Sequence, residues 1–179
     1  ILKHIVIADV ISLSMGFVLR VLAGCAAVSV APTTWLLNTT FFLAMFLAFG
    51  KRLGERRSLG SAGAAAARGV QAGYTDELLR QAVVVTAVVT LMTYAIYVQS
   101  QDAKYMLGFN LMWLTILPAT YAMLRAIVLL ERGTYDDPTL LASKDRPFQL
   151  GAVVFGAMTL GLMVARHLHW IGATPMQPS

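Results

Sequence analysis

Apolar residues in this chain come in long runs separated by polar links, and the lengths of the runs predict membrane helices rather than strands or amphipathic surface helices. Five runs stand out: His4 to Val30, Thr34 to Gly50, Ala82 to Val98, Met106 to Leu130 and Phe148 to His169. Each approaches or exceeds the roughly 20 residues a helix needs to cross a hydrocarbon core. The links alternate in character. Ala31 to Thr33 is short and uncharged, Lys51 to Gln81 is long and basic, Gln99 to Tyr105 is short, and Glu131 to Pro147 is charged again. The pattern predicts an all-α, polytopic transmembrane bundle of about five spans over residues 1–170, with loops 51–81 and 131–147 on one face. The tail, 171–179, is expected on the other. Pro118 falls inside the fourth run, where its missing backbone donor predicts a kink. Residues 60–70, GSAGAAAARGV, suit either a flexible loop or an interfacial helix.

Charge fixes the expected orientation. Lys3, Lys51, Arg52, Arg56, Arg57, Arg68, Arg80, Arg132, Lys144 and Arg146, ten of the fourteen Lys and Arg, lie in the N-terminal segment and the two charged loops. By the positive-inside bias that face is cytoplasmic, which implies a multi-pass protein of the cell inner membrane. The composition, 58% hydrophobic and 13% charged, excludes an ordinary soluble domain. Membrane topology accounts for the net charge of +5, so no nucleic-acid partner is implied. A single cysteine, Cys25, forms no internal disulfide. His167 and His169 sit about 200° apart on a helix, a poor metal geometry. The chain opens on Ile1 without an initiator methionine or a cleavable signal pattern, and further residues are expected upstream.

Two charges fall within the first run. Asp9 and Arg20 each cost about 2.5–3.5 kcal/mol at a bilayer centre, so they need compensation. Eleven residues at about 100° return nearly to the starting direction, which places Asp9, Ser12, Gly16 and Arg20 on one stripe. That stripe is expected to face an interior polar cavity, with Lys3 snorkelling toward its mouth. The plain alternative is that Asp9 and Arg20 only bond neighbouring helices. Lys51 and Arg52 close the second run with Glu55 one turn on, a set suited to phosphoryl oxygens through a point charge, a bidentate fork and an orienting acid. Cations also flank most cytoplasmic helix ends, so this set has an equally plain topological reading. Tyr74, Thr75, Asp76, Glu77 and Arg80 form one more polar cluster on the same face, and Asp136, Asp137, Lys144, Asp145 and Arg146 another. Acids at a cavity mouth suit Mg²⁺ held through water and phosphates; solvated loop charge explains Asp136 and Asp137 as well.

Four stretches resemble the UbiA superfamily of membrane prenyltransferases, closest to its bacterial decaprenyl-phosphate phosphoribosyltransferase branch. LKHIVIADVISLSMGFVLRVLAG is similar to that family's second motif through Lys3, Asp9 and Arg20. GKRLGE, carrying Lys51, Arg52 and Glu55, resembles the branch's Gly-Lys-Arg-x-x-Glu signature. YTDELLR, with Tyr74 and Arg80, and KDRPFQL, with Asp145 and Arg146, resemble two further pieces. The resemblance implies a nine-helix fold with a cytoplasmic cavity, of which these spans are helices five to nine. It also implies Mg²⁺, a polyprenyl lipid and a phosphorylated sugar as substrates, and an oligomer or larger membrane complex. The roles it implies are catalysis by Lys3, Asp9 and Glu55, with Asp9 also on the metal. Substrate binding falls to Arg20, Lys51, Arg52, Tyr74, Arg80, Asp145 and Arg146. The family's first motif, Asn-Asp-x-x-Asp-x-x-x-Asp, does not occur in this sequence. The leading expectation is therefore transfer of phosphoribose from phosphoribosyl diphosphate to a polyprenyl phosphate, given that motif upstream. The alternatives are a shortened, non-catalytic homologue serving as a subunit of a membrane complex, and a prenyltransferase with an aromatic acceptor.

Overall fold

Twenty residues from Ala8 to Ala27 form α1, long enough at about 1.5 Å per residue to cross roughly 30 Å of hydrocarbon. The computed structural model of the chain describes residues 7–67, 75–100, 110–133 and 142–167, and for residues 58–67, 166 and 167 the backbone alone. After α1 come α2 (Thr34–Ala67), α3 (Asp76–Ser100), a 3-10 turn (Leu111–Thr115) leading into α4 (Ile116–Glu131), and α5 (Arg146–His167). The all-α bundle expected from the apolar runs is the observed architecture. Five segments are long and apolar enough to cross a membrane: Ala8–Ala27, Thr34–Arg57, Asp76–Ser100, Leu111–Glu131 and Arg146–Ala165.

Two expectations change. The second span does not give way to a loop at Gly50: α2 continues as one helix of 34 residues to Ala67. Lys51 to Ala67 has five Ala and three Arg and no proline, and its three glycines weaken a helix without ending it. The part of the 60–70 segment up to Ala67 is thus helical, and 68–70 lie outside the described residues. Pro118 produces no mid-helix kink. The backbone changes from 3-10 to α at Ile116, leaving Pro118 in the first turn of α4, where a missing donor costs little. The expected tail, 171–179, lies outside the described residues, as do Lys3 and Tyr74.

The helices pack largely in chain order. α1 lies on α2, α2 makes its broadest contact with α3, α4 bridges α3 and α5, and the 3-10 turn wedges between α3, α4 and α5. Val10, Phe46, Phe49, Leu53, Leu79, Val83, Ala87, Leu129 and Leu130 form the main core. Outward faces carry large apolar side chains, among them Leu19, Leu117, Leu150 and Leu160, each more than half exposed. Water would not tolerate so extensive an apolar surface, whereas lipid tails match it.

Without water in the hydrocarbon, hydroxyls must be satisfied within the bundle. Thr86, Thr90 and Thr93 are buried on α3 and donate to the carbonyls of Ala82, Thr86 and Val89 at 2.6, 2.6 and 2.9 Å. The Thr115 hydroxyl donates to the Met112 carbonyl at 2.6 Å, so the Tyr94 hydroxyl, 2.7 Å away, donates to Thr115. Tyr94 also meets Phe155 edge-on at 5.6 Å between ring centroids, joining α3, the 3-10 turn and α5. Asn110 completes this end: its amide donates to the Val98 carbonyl at 2.7 Å while its oxygen accepts from Met112 N at 3.0 Å.

At the opposite end, Arg125 of α4 holds Asp145 through two hydrogen bonds, Nε at 3.2 Å and Nη2 at 2.9 Å. Asp145 in turn accepts from Phe148 N at 2.8 Å and so caps α5. Arg125 holds the Asp145 carboxyl below the usual carboxylate range; the Phe148 N–H adds to this, and burial opposes it. Its stabilising contribution is present above the unfolded carboxylate value of about 4, and is lost as pH falls through the lower native value.

Asp145→Asn is therefore expected to lower the melting temperature in detergent by an amount that is constant from pH 7 to pH 5 and shrinks toward pH 3. A deficit unchanged at pH 3 would rule out the charged clasp. Tyr94→Phe removes one hydrogen bond yet leaves Thr115 bonded to Met112. It is expected to cost about 1 kcal/mol in equilibrium unfolding, and a cost near zero would show that the hydroxyl does not hold the three elements together.

Candidate functional site

α1 enters the bundle at the end where α2 leaves it, and this brings the first two sequence motifs together. Asp9, in the first turn of α1, forms an ion pair with the Arg52 guanidinium through Nη2, both side chains being 13% exposed. Glu55, one turn further along α2, has its carboxylate 3.8 Å from Arg52 Nη1. Lys51, next to Arg52, is exposed. Asp9, Lys51, Arg52 and Glu55 thus share one end of the α1–α2 pair, as the motifs imply. The Arg52 Nε–H is buried and has no hydrogen-bond partner among the described residues. A guanidinium held by two acids with a donor left over can present that donor to an anion such as a phosphoryl oxygen.

The remaining charges at this end lie between other pairs of helices. Arg56 Nε donates to Asp76 Oδ1 at 2.7 Å, tying α2 to α3. Arg57 donates to the Leu130 carbonyl, and its Nη2 lies 3.6 Å from Glu131, which Arg80 Nε also approaches at 3.6 Å. Arg80 therefore joins α3 to α4 beside Arg57 and makes no contact with the Asp9–Arg52 pair. Asp145 is committed to Arg125 and the cap of α5. Arg146 is exposed on the first turn of α5, at the head of the α4–α5 seam.

The expected polar stripe of α1 faces no cavity among the described residues. The buried line of α1 is Val10, Ser14 and Val18, because these small and β-branched side chains let α2 approach closely. Ser12 is exposed and returns its hydroxyl to the Ala8 carbonyl at 2.7 Å. Arg20 is also exposed, its guanidinium 5.1 Å from the centroid of the Phe17 ring. It stands eleven residues, about 16 Å of helix, from Asp9. Arg57, Arg125 and Glu131 were not singled out by motif, though an arginine within an apolar run, as Arg125 is, signals a buried partner.

Mg²⁺, the cation implied by resemblance, does not fit the described residues on their own. Among them no group of three His, Cys, Asp or Glu side chains is placed to hold a metal, and Asp9, the expected ligand, is engaged by Arg52.

No protein-family model matches the chain. Its sequence is 30% identical over 155 residues to a decaprenyl-phosphate phosphoribosyltransferase of Mycolicibacterium smegmatis, covering 83% of this chain and 48% of that protein. Against the protein of the same description from Mycobacterium tuberculosis it is 28% identical over 166 residues, 92% of this chain and 53% of the relative. For the one from Corynebacterium glutamicum the figures are 28% over 163 residues, 86% and 46%. The chain thus spans about half the length of the curated relatives it matches. Similarity that runs through most of this chain, in a helix bundle built to cross a membrane, makes it a distant homologue of the decaprenyl-phosphate phosphoribosyltransferases.

Proposed function

We propose that this chain takes part in phosphoribosyl transfer at a membrane surface, moving phosphoribose from phosphoribosyl diphosphate to a polyprenyl phosphate. The observation that carries the proposal is Arg52, fixed by Asp9 and Glu55 with a buried Nε–H to spare, inside a stretch, GKRLGE, that resembles the signature of the phosphoribosyltransferase branch. The charged end of the bundle is the cytoplasmic end in this reading, since phosphoribosyl diphosphate is water-soluble and the basic residues gather there. Bilayer-facing helix walls give the polyprenyl chain its approach.

The reaction asks mainly for electrostatic stabilisation. An ionised oxygen of the polyprenyl phosphate attacks the anomeric carbon of the ribose, the bond from that carbon to diphosphate breaks, and diphosphate leaves with the electron pair. Charge on the leaving group grows as the bond stretches. A cation fixed beforehand at that position stabilises the transition state more than the ground state. Arg52 meets that requirement because Asp9 and Glu55 set its orientation, while Lys51 adds a mobile point charge. Glu55 acts here by positioning Arg52, and Lys3 and Tyr74 keep the roles that the resemblance implies, Lys3 in catalysis and Tyr74 in substrate binding.

A second reading has its own support. Asp9, Asp76, Glu131 and Asp145 all pair with arginines, as a purely structural set of clamps would. In that case the chain is a non-catalytic membrane subunit.

Reconstituting the native full-length protein in vesicles with labelled phosphoribosyl diphosphate and decaprenyl phosphate separates the two. The transferase reading expects lipid-linked phosphoribose, and no product from a prenyl diphosphate with an aromatic acceptor. Arg52→Ala is expected to cut turnover by about 10²-fold or more, by analogy with the loss of a fixed oxyanion donor. Arg52→Lys is expected to recover little of it, since an ammonium cannot reproduce the fork geometry. Unchanged turnover in an Arg52→Ala protein with wild-type melting behaviour would remove Arg52 from the mechanism, and absence of any transfer by the wild type would leave the subunit reading.

A further inference from the structure

α5 is the least buried of the five spans and packs mainly on α4 and the 3-10 turn, with Tyr94 of α3 meeting it at Phe155. Its seam with α4 opens into a groove of about 560 Å³ walled by Leu117, Tyr121, Leu150, Gly151 and Val154, with Arg146 at one end. Gly151 shapes it. A Cβ at that position would lie 2.9 Å from Tyr121 Cδ1, so only glycine lets the Tyr121 ring settle against α5. From Arg146 to Val154 the groove follows eight residues of helix, about 12 Å, deep enough for a stretch of hydrocarbon chain.

The end of the groove is positive. Asp145 is already matched by Arg125, and among the described residues neither Arg146 nor Lys144 carries an ion pair. The N-terminal dipole of a 22-residue helix adds to the same field. An apolar channel headed by an arginine at the level where the helix enters the bilayer is complementary to an amphiphile with one hydrocarbon leg and an anionic phosphate head. Leu150 is 67% exposed and Tyr121 49%, so the channel is reached from the side. α1, which carries Asp9, makes no contact with α5, so this groove is separate from the Arg52 cluster.

We propose that the α4–α5 groove is a seat for an anionic phospholipid of the surrounding leaflet, its phosphate on Arg146 and one acyl chain lying along Gly151 toward Val154. Such a lipid fills the seam of the most weakly packed helix and couples the stability of α5 to membrane composition. The seat holds whether or not the chain transfers phosphoribose.

The test uses the native full-length protein in detergent, supplemented with phosphatidylglycerol or with phosphatidylcholine of the same acyl chains, with retained lipid counted by native mass spectrometry and stability read by thermal melting. Phosphatidylglycerol is expected to bind preferentially and raise the melting temperature. Arg146→Gln is expected to weaken that binding about fivefold, the effect of one basic residue at a membrane surface, without changing phosphatidylcholine retention. Val154→Trp, which fills the lower channel from an already exposed position, is expected to release the retained lipid. Equal retention of the two lipids, or an undiminished preference in Arg146→Gln, would overturn the proposal. Displacement of phosphatidylglycerol by one equivalent of decaprenyl phosphate would overturn it too, assigning the groove to the acceptor. If the rest of the full-length protein covers the groove, no lipid is retained there, and the proposal fails.

Discussion

A charge placed in hydrocarbon must find its partner within the protein, and this single constraint organises the charged end of the bundle. Among the described charged side chains only Arg20 stands away from that end. The rest include pairs that each tie two different helices: Asp9 to Arg52 between α1 and α2, Arg56 to Asp76 between α2 and α3, Arg57 and Arg80 to Glu131 on α4, and Arg125 to Asp145 at the head of α5. Hydrophobic burial gives little direction to helix association where the solvent is itself apolar, so packing and polar contacts of this kind decide which faces meet. Among these pairs only Asp9–Arg52 is largely shielded on both sides, and there removing one member leaves the other unpaired at about 3–5 kcal/mol, whereas pairs with a half-exposed member such as Asp76 or Arg80 contribute less. That penalty makes register between neighbouring helices specific.

The other end of the bundle meets the same constraint without ions. Tyr94, Thr115 and Asn110 close the join between α3, the 3-10 turn and α5 through hydroxyl and amide bonds. The 3-10 turn places Pro118 at the beginning of α4 and shortens the continuous α-helix of the fourth span to 16 residues. Between the two ends the helices meet through small and β-branched residues such as Ser14, Val18, Ala48 and Ala87.

The five spans were legible because a membrane helix advertises itself in an uninterrupted apolar run, a signal that needs no knowledge of neighbours. Grouping Asp9 with Arg52 and Glu55 was legible too, since motifs at the adjoining ends of consecutive antiparallel helices must meet. Less legible were inferences that depend on a helix's surroundings. Periodicity put Asp9, Ser12, Gly16 and Arg20 on one face, but only packing could reveal that α2 covers Val10, Ser14 and Val18 instead. The end of α2 was misplaced for a different reason. Polarity after Gly50 marks where a helix leaves the membrane, and a helix that leaves the membrane does not have to stop. The resemblance implies substrate contacts for Asp145 and Arg80; their arginine and glutamate partners, Arg125 and Glu131, sit on α4, remote in sequence, and could not be read from the motifs.

Pairing alone does not distinguish a clamp from a binding group; what distinguishes them is how many donors the pair leaves over. Arg125 turns two of its nitrogens onto the two oxygens of Asp145, and Asp145 spends a further acceptor position on Phe148 N, which leaves that pair closed. Arg52 gives Nη2 to Asp9, keeps Nη1 within 3.8 Å of Glu55, and retains an Nε–H without a partner among the described residues. A buried donor left in that state costs free energy that a bound acceptor would recover. An incoming phosphate would supply the missing acceptor at the moment it binds, so the same unsatisfied bond that weakens the empty site would strengthen the occupied one. Arg57 Nη2 is a second buried donor without a hydrogen-bond partner among the described residues, but Arg57 already ties α2 to the Leu130 carbonyl, whereas Arg52 stands beside Asp9 in the GKRLGE stretch; on both grounds together Arg52, rather than Arg125 or Arg80, is the arginine suited to take a substrate.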